Sequence, residues 1–114
     1  MPVPVYAYAK VRDAAIEAAA AVTETTPHAL RSANDTKSLV NARMIAVRLM
    51  QCHQLYPSYI AGALGVSPDT VAILAEGALN NIVNNRTWTR RYRRARELFV
   101  SYLKKIKALA LRAA

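Results

Sequence analysis

The spacing of the apolar positions predicts a chain built from α-helices. Apolar residues recur every three or four positions along most of the sequence, which places them on one face of a helix. Helices are predicted over residues 10–22, about 38–53 and about 89–111. Their inward-facing residues are expected to be Val11, Ala15, Ala18 and Val22; Leu39, Ala42, Ile45, Ala46, Leu49 and Cys52; and Leu98, Phe99, Tyr102, Leu103, Ile106 and Leu109. Sustained alternation of β-branched and polar residues is missing, so an all-α bundle of about five to six helices is expected.

Prolines and polar runs predict the segments between these helices. Residues 2–8, PVPVYAY, hold two prolines that favour an extended path, so residues 1–9 are expected to form an N-terminal arm. Thr26 and Pro27 predict the cap and first position of a short helix. Residues 32–37 are expected to form a polar loop, and the NNRTW segment, residues 84–88, a second one.

The stretch YIAGALGVSPDTVAIL, residues 59–74, contains two helical patterns separated by a turn. Ser58 is predicted to cap the first helix, which ends at Gly65 because glycine tolerates the positive φ found there. Ser67 is predicted to cap the second helix, with Pro68 at its first position. The inward residues are expected to be Ile60, Ala61, Leu64, Val71, Leu74, Ala75 and Ala78. This pattern indicates a helix-turn-helix, whose second helix often enters the major groove of DNA.

The net charge of +9 is concentrated at the end of the chain. Residues 1–85 carry six basic and six acidic residues, whereas residues 86–114 carry ten basic residues and a single acid, Glu97. This asymmetry favours a polyanionic partner, nucleic acid before a membrane surface. In the segment RTWTRRYRRAR, Trp88 and Tyr92 are expected to stack or to anchor the helix. The residues expected to contact phosphate, with a merely solvated face as the alternative, are Arg86, Arg90, Arg91, Arg93 and Arg94.

Three segments occur in the order found in a known DNA-binding domain: TTPHALRS, then RMIAVRL from Arg43 to Leu49, then the helix-turn-helix. Over roughly residues 11–83 the chain resembles the C-terminal domain (domain IV) of the bacterial replication initiator DnaA, which has a Trp-repressor-like helix-turn-helix bundle. The resemblance implies a DNA-binding domain over residues 10–85, followed by a basic helical extension over residues 86–114. The initiator's nucleotide-binding region has no counterpart here. Stand-alone versions of this domain resemble regulators found with prophages and gene transfer agents.

The resemblance also implies a set of DNA-contacting residues. Arg43 matches a family arginine that contacts phosphate, and the family's minor-groove arginine falls near Asp35 or Lys37. The family reads bases with an Asp-His-Thr-Thr stretch, whereas residues 67–70 are Ser-Pro-Asp-Thr, so a different DNA site is expected. Off the apolar stripe of their helix, Arg43 and Arg48 are expected to face solvent. The predicted contacts in this part of the chain are Lys37, Arg43, Arg48, Ser67, Pro68, Asp69, Thr70, Ala72 and Ile73, with a pure capping role equally open for Ser67 and Asp69.

The remaining polar residues predict neither catalysis nor metal binding. His28 and His53 lack cysteine or carboxylate partners at ligand spacing, and Cys52 is expected to be a small core residue in a reducing compartment. No enzymatic activity and no cofactor are expected. The N-terminus lacks the pattern of a signal peptide and no long apolar run occurs, so a cytoplasmic, nucleoid-associated protein is expected.

Together these features predict a sequence-specific double-stranded-DNA-binding protein, and by resemblance a small transcription regulator, an activator working with a co-activator protein or RNA polymerase. A homodimer through residues 98–111 is a further expectation. Two alternatives remain open. One is an adaptor whose helix-turn-helix binds protein while the basic segment contacts DNA nonspecifically, and the other is a replication or recombination accessory factor.

Overall fold

A computed structural model describes the backbone of residues 7–113 and the side chains of residues 7–105. Within these limits the chain holds helices, turns and short connections, and no strand. The helices are α1 (Tyr8–Thr23), α2 (Pro27–Leu30), α3 (Lys37–Cys52), α4 (Pro57–Leu64), α5 (Pro68–Asn84) and α6 (Arg86–Ala113). The all-α prediction is confirmed.

Helices α1, α3 and α6 pack against one another at the centre of the core. Because α1 contributes mostly alanines to this contact, the backbones of its neighbours can approach it closely. Helix α5 packs on α3 and α4, which extends the core beneath the helix-turn-helix. The largest fully buried side chains are Phe99, Ile16, Leu30, Ile45, Leu49, Met50, Ile60, Leu64, Val47 and Val71.

The predicted inward faces of α1 and α3 are confirmed except at their ends. Val22 is only half-buried. Cys52 is exposed, because it is the last residue of α3, where the chain turns away. In α6, Phe99 is buried and its predicted companions Leu98, Tyr102 and Leu103 are half-buried, whereas the side chains of Ile106 and Leu109 lie outside the described residues.

Hydroxyl side chains cap the starts of three helices. A cap supplies an acceptor for a backbone N–H that has no partner within the helix. The bonds run from Ala29 N to Thr26 Oγ1 at 3.1 Å, from Leu39 N to Thr36 Oγ1 at 3.4 Å, and from Thr70 N to Ser67 Oγ at 3.1 Å. The predicted caps of α2 and α5 are confirmed, and proline follows each of them as expected.

Helices α4 and α5 form the predicted turn at a glycine. Their axes are bent by 95°. Gly65 has φ 66° and ψ 33°, the left-handed conformation that ends α4. A Cβ atom at this position would lie 3.1 Å from the carbonyl oxygen of Arg31, so the backbone also passes close to the α2–α3 connection. The predicted start is wrong by two residues, because Tyr56 is the N-cap and Pro57 already occupies the first turn ahead of Ser58.

The predicted NNRTW loop is wrong. Helix α5 continues to Asn84, and α6 begins at Arg86, so Asn85 alone separates the two helices. The side chain of Asn85 accepts a hydrogen bond from Trp88 N at 3.0 Å, and its carbonyl oxygen accepts one from Thr89 Oγ1 at 2.8 Å. One residue thus ends one helix and caps the next.

The N-terminal boundary also differs from the prediction. Helix α1 begins at Tyr8, inside the segment expected to be extended, and the earlier part of that segment, residues 1–6, lies outside the described residues. The Tyr8 ring is buried against Tyr56 and Tyr59 in edge-on contacts, with centroids 5.9 and 5.2 Å apart. These contacts fix the first turn of α1 on the start of α4.

Among the described residues, no single helix is long and apolar enough to cross a membrane. The helices α4 and α5 reach that length and apolarity only when taken together across their 95° bend.

Candidate nucleic-acid interface

Helix α6 carries two opposite faces. Trp88, Tyr92, Ala95 and Phe99 recur at helical spacing and are buried. Five arginine side chains of this helix, those predicted to contact phosphate, are exposed to solvent. We call them the arginine face, and they are Arg86, Arg90, Arg91, Arg93 and Arg94. The core therefore holds this helix so that its charges point outward.

The arginine face has no partner in the described part of the molecule. The ion pairs among described side chains are Arg12–Asp13, Arg31–Asp13 and Arg43–Asp35, and all lie elsewhere. No ion pair with a described side chain relieves the repulsion among these guanidinium groups, which produces a positive potential over this surface.

The aromatic residues of the basic segment are structural. Trp88 and Tyr92 are buried and stack on each other, with centroids 5.4 Å apart and ring planes inclined by 12°. Of the two predicted roles, anchoring is therefore the one that the structure supports. Burial, followed by the neighbouring Cys52 thiol, raises the pKa of the Tyr92 hydroxyl.

The start of α5 presents the polar residues that were predicted to approach base edges. Ser67, Pro68 and Asp69 are exposed, and Thr70 is half-buried with its hydroxyl 2.9 Å from Ser67 Oγ. On the outward face of the following turns, Ala72 and Ile73 are exposed, and Ile73 is 67% accessible. Because Ser67 and Thr70 bond to each other, each keeps only part of its hydrogen-bonding capacity for an external partner.

The outward face of α5 carries no basic residue. Asp69 and Glu76 are exposed there, together with the apolar side chains of Leu79 and Val83, which are 50% and 80% accessible. The first residue of the arginine face, Arg86, follows the far end of α5, about 25 Å from its start at 1.5 Å per residue. The two predicted parts of the interface are therefore separated by the length of one helix.

Arg43 lies in the interior, which corrects the expectation that it faces solvent and contacts phosphate. Its side chain is 3% exposed. The guanidinium donates from Nε to the carbonyl oxygen of Leu30 at 3.0 Å, and from Nη2 to that of Ser32 at 2.7 Å. A further bond joins Nη1 to Asp35 Oδ1 at 3.3 Å. Arg43 therefore joins α3 to the α2–α3 connection, and sequence periodicity could not find these acceptors because they belong to another segment.

The other two basic residues predicted on α3 differ from each other. Lys37, the first residue of α3, is exposed as a phosphate contact requires. Arg48 is half-buried, which corrects the expectation that it faces solvent, and its Nε atom is buried without a hydrogen-bond partner among the described residues. It borders a cavity together with Cys52, Tyr92 and Arg96.

The described residues hold no group of three or more histidine, cysteine, aspartate or glutamate side chains that could bind a metal ion. Neither a protein-family model, nor a curated protein, nor a solved structure matches this chain significantly. The resemblance to the DnaA domain is thus carried by the motif residues of the sequence alone, and it stays a prediction.

Proposed function

We propose that this protein binds double-stranded DNA and that the arginine face of α6 supplies most of the affinity. The observation that supports this function is a group of exposed arginines without ion-pair partners among the described side chains, on a helix whose other face is buried in the core. Arginine forms bidentate hydrogen bonds with phosphate oxygens, and each neutralised phosphate releases condensed counterions. Because α6 is held by the core, its backbone needs no further ordering when DNA binds, and only the arginine side chains lose conformational freedom.

Sequence preference would come from the start of α5. Ser67 and Thr70 offer hydroxyl groups, Asp69 accepts from cytosine, and Ile73 fits a thymine methyl group. None of these residues makes the strong bidentate contacts of arginine or asparagine with a base. Direct readout would therefore be modest, and DNA shape or a partner protein would add to it.

By the resemblance given above, we further propose a role in transcription, as an activator that works with RNA polymerase or a co-activator protein. Homodimerisation and nucleoid association belong to the same proposal. Mapping the genomic positions of the protein tests the role, because occupancy of promoters supports regulation, whereas occupancy of a replication origin or of recombination sites supports the accessory role.

The outward face of α5 supports the second candidate, an adaptor that binds protein through its helix-turn-helix. Asp69 and Glu76 would be repelled by phosphate, and Leu79 and Val83 expose apolar surface that DNA does not need. In this function the arginine face holds DNA without sequence preference. The two candidates differ in whether α5 influences the choice of site.

Binding to labelled genomic fragments at two salt concentrations tests both candidates. We expect Arg91→Gln and Arg94→Gln each to weaken binding several-fold, because each removes a phosphate contact. Lys10→Gln is the matched control, since it removes one exposed charge from a different helix, α1. Equal loss in all three variants would contradict a defined DNA-contacting face.

Enrichment of one sequence motif, altered in Ile73→Ala, would support readout by α5. Uniform binding that disappears at the higher salt concentration and is unchanged in Thr70→Ala and Ile73→Ala would support the adaptor instead.

A further inference from the structure

Two adjoining recesses lie beside the first turns of α6, where the end of α5 and the side of α3 face it. Their volumes are about 340 Å³ and 360 Å³. Both are bordered by Ile82, Thr89 and Arg93, so they are neighbours, and we call the two together the arginine trough. Each recess has the volume of a small-molecule site.

Five arginines border the arginine trough, and no carboxylate does. Arg86, Arg90 and Arg93 border the first recess, and Arg48 and Arg96 join Arg93 around the second. None of them forms an ion pair with a side chain that the structure describes. Confining this many like charges around a small volume is unfavourable until an anion enters it.

Arg48 supports an anion-binding site independently of the arginines of α6. It comes from α3, whereas the other four arginines belong to α6, so cations border the trough from two elements. Its Nε atom is buried and finds no acceptor among the described residues. The Arg48 side chain is half-buried and forms no ion pair with a described side chain, which favours an anionic ligand beside it.

We propose that the arginine trough binds the phosphate chain of a free polyphosphate, such as a nucleoside diphosphate or triphosphate. Guanidinium groups pair with phosphate oxygens in a bidentate manner, and several of them together match the multiple negative charges of such a chain. The apolar side chains of Ile82 and Val83 border the same space and fit the ribose or base of a nucleotide.

A free ligand fits this site better than a duplex does. The backbone of duplex DNA lies on the outside of a wide cylinder, whereas Arg48, on α3, is half-buried. The site does not depend on DNA binding. It shares Arg86, Arg90 and Arg93 with the arginine face, so an occupied trough would weaken DNA binding by removing three of its cations.

Calorimetric titration of the full chain with pyrophosphate and with ATP, each at 0.15 M salt, tests the proposal. The salt concentration suppresses diffuse attraction, because the screening length is then only about 8 Å. The protein has one tryptophan, Trp88, which stacks on Tyr92 at the border of the trough. Its emission therefore reports whether the bound ligand lies there.

Arg96 and Arg94 form a matched pair, because both are exposed arginines on opposite flanks of α6 and only Arg96 borders the trough. We expect Arg96→Gln to weaken pyrophosphate binding about tenfold and to leave duplex binding unchanged. Arg94→Gln is expected to weaken duplex binding and to leave pyrophosphate binding unchanged. Thermal melting of both variants checks that they remain folded, and Arg96→Lys should recover part of the affinity.

Absence of saturable binding of either ligand up to about 1 mM, the weakest affinity that a useful site would have, would overturn the proposal. Equal weakening of pyrophosphate binding by Arg96→Gln and Arg94→Gln would also overturn it, since that result describes a diffuse charged surface. If pyrophosphate binds while duplex DNA does not, the DNA-binding proposal fails and the trough stands.

Discussion

At the scale of single residues, Arg43 joins α3 to the end of α2 and to the connection between the two helices. Its Nε and Nη2 atoms donate to the carbonyl oxygens of Leu30 and Ser32, just before α3 begins. Asp35 is 87% exposed, so its ion pair with Arg43 is screened by water and contributes little. The buried bonds to carbonyl oxygens, which have no alternative partner, hold the α2–α3 connection in place.

We therefore expect Arg43→Ala to lower the free energy of unfolding by about 3 kcal/mol, because buried carbonyl groups lose a charged donor. Urea denaturation followed by circular dichroism measures this change. Arg91→Ala, at an exposed arginine, is the control and should change stability by less than about 0.5 kcal/mol. If Arg43→Ala weakened DNA binding while stability stayed the same, the phosphate contact implied by the family resemblance would be correct instead.

Ser67 has two possible roles that substitution can separate. We expect Ser67→Ala to destabilise the protein by about 1 kcal/mol, because Thr70 N loses its cap. Ser67→Asp keeps a capping oxygen and should recover most of that stability. The added carboxylate beside Asp69 should nevertheless weaken DNA binding if the start of α5 approaches phosphate groups. Unchanged binding in a stable Ser67→Asp variant would mean that Ser67 is only a cap.

Elements that depend on local chemistry were the ones that could be predicted from the sequence. The Thr26 and Ser67 caps and the Gly65 turn follow from neighbouring residues, and the structure confirms them. The position of the break between α5 and α6 could not be predicted, because a polar run in the sequence looks the same in a loop and at the exposed end of a helix. Continuation of α5 as far as Asn84 depends on packing against α3, which periodicity does not reveal.

At the candidate site, too, local patterns could be predicted from the sequence and contacts between helices could not. The exposed arginines of α6 could be predicted because they oppose a regular apolar pattern on the same helix. Arg48 could not be assigned from the sequence, since its burial depends on α6 lying across α3. The arginine trough was missed for this reason: it forms only when two helices distant in sequence come together.

Replacing each of two glycines of the helix-turn-helix with alanine is expected to change stability in opposite directions. Gly65→Ala is expected to lower the free energy of unfolding by about 1–2 kcal/mol, because φ is positive and the new Cβ would lie 3.1 Å from the Arg31 carbonyl oxygen. Gly62 lies within α4 with open space around its Cα hydrogen, so Gly62→Ala should raise stability by about 0.5–1 kcal/mol. Thermal denaturation measures both, and a shift of the same sign in the two variants would contradict the turn geometry.

At the scale of the whole molecule, charge and core are carried by the same helix. The exposed arginines between residues 86 and 96 lie on the outside of α6, and the inside of α6 packs on α1 and α3. The positive field of these arginines is thus fixed relative to the helix-turn-helix rather than carried on a tether.

The salt dependence of DNA binding should reflect the number of phosphates that the arginine face contacts. With about four to five phosphates engaged by the arginine face, the slope of log K against log salt concentration is expected to be about −4. Each of Arg91→Gln and Arg94→Gln should reduce its magnitude by about 0.9, whereas Lys10→Gln should leave it unchanged. Fluorescence anisotropy with a labelled duplex between 50 and 200 mM salt measures it. A slope near zero would mean that the arginine face does not contact phosphate.

Because α6 carries both exposed arginines and core side chains, it cannot be deleted without affecting the fold. A polyanion-binding tail is usually a module that can be cut off or transplanted without harm to its host. Here, removing residues 86–114 would also remove Trp88, Tyr92 and Phe99 from the interior, and the remainder would expose the apolar surfaces of α1 and α3. Truncation therefore cannot separate DNA affinity from folding. Substitutions on the outward side of α6 can do so, because they leave the side that faces inward unchanged.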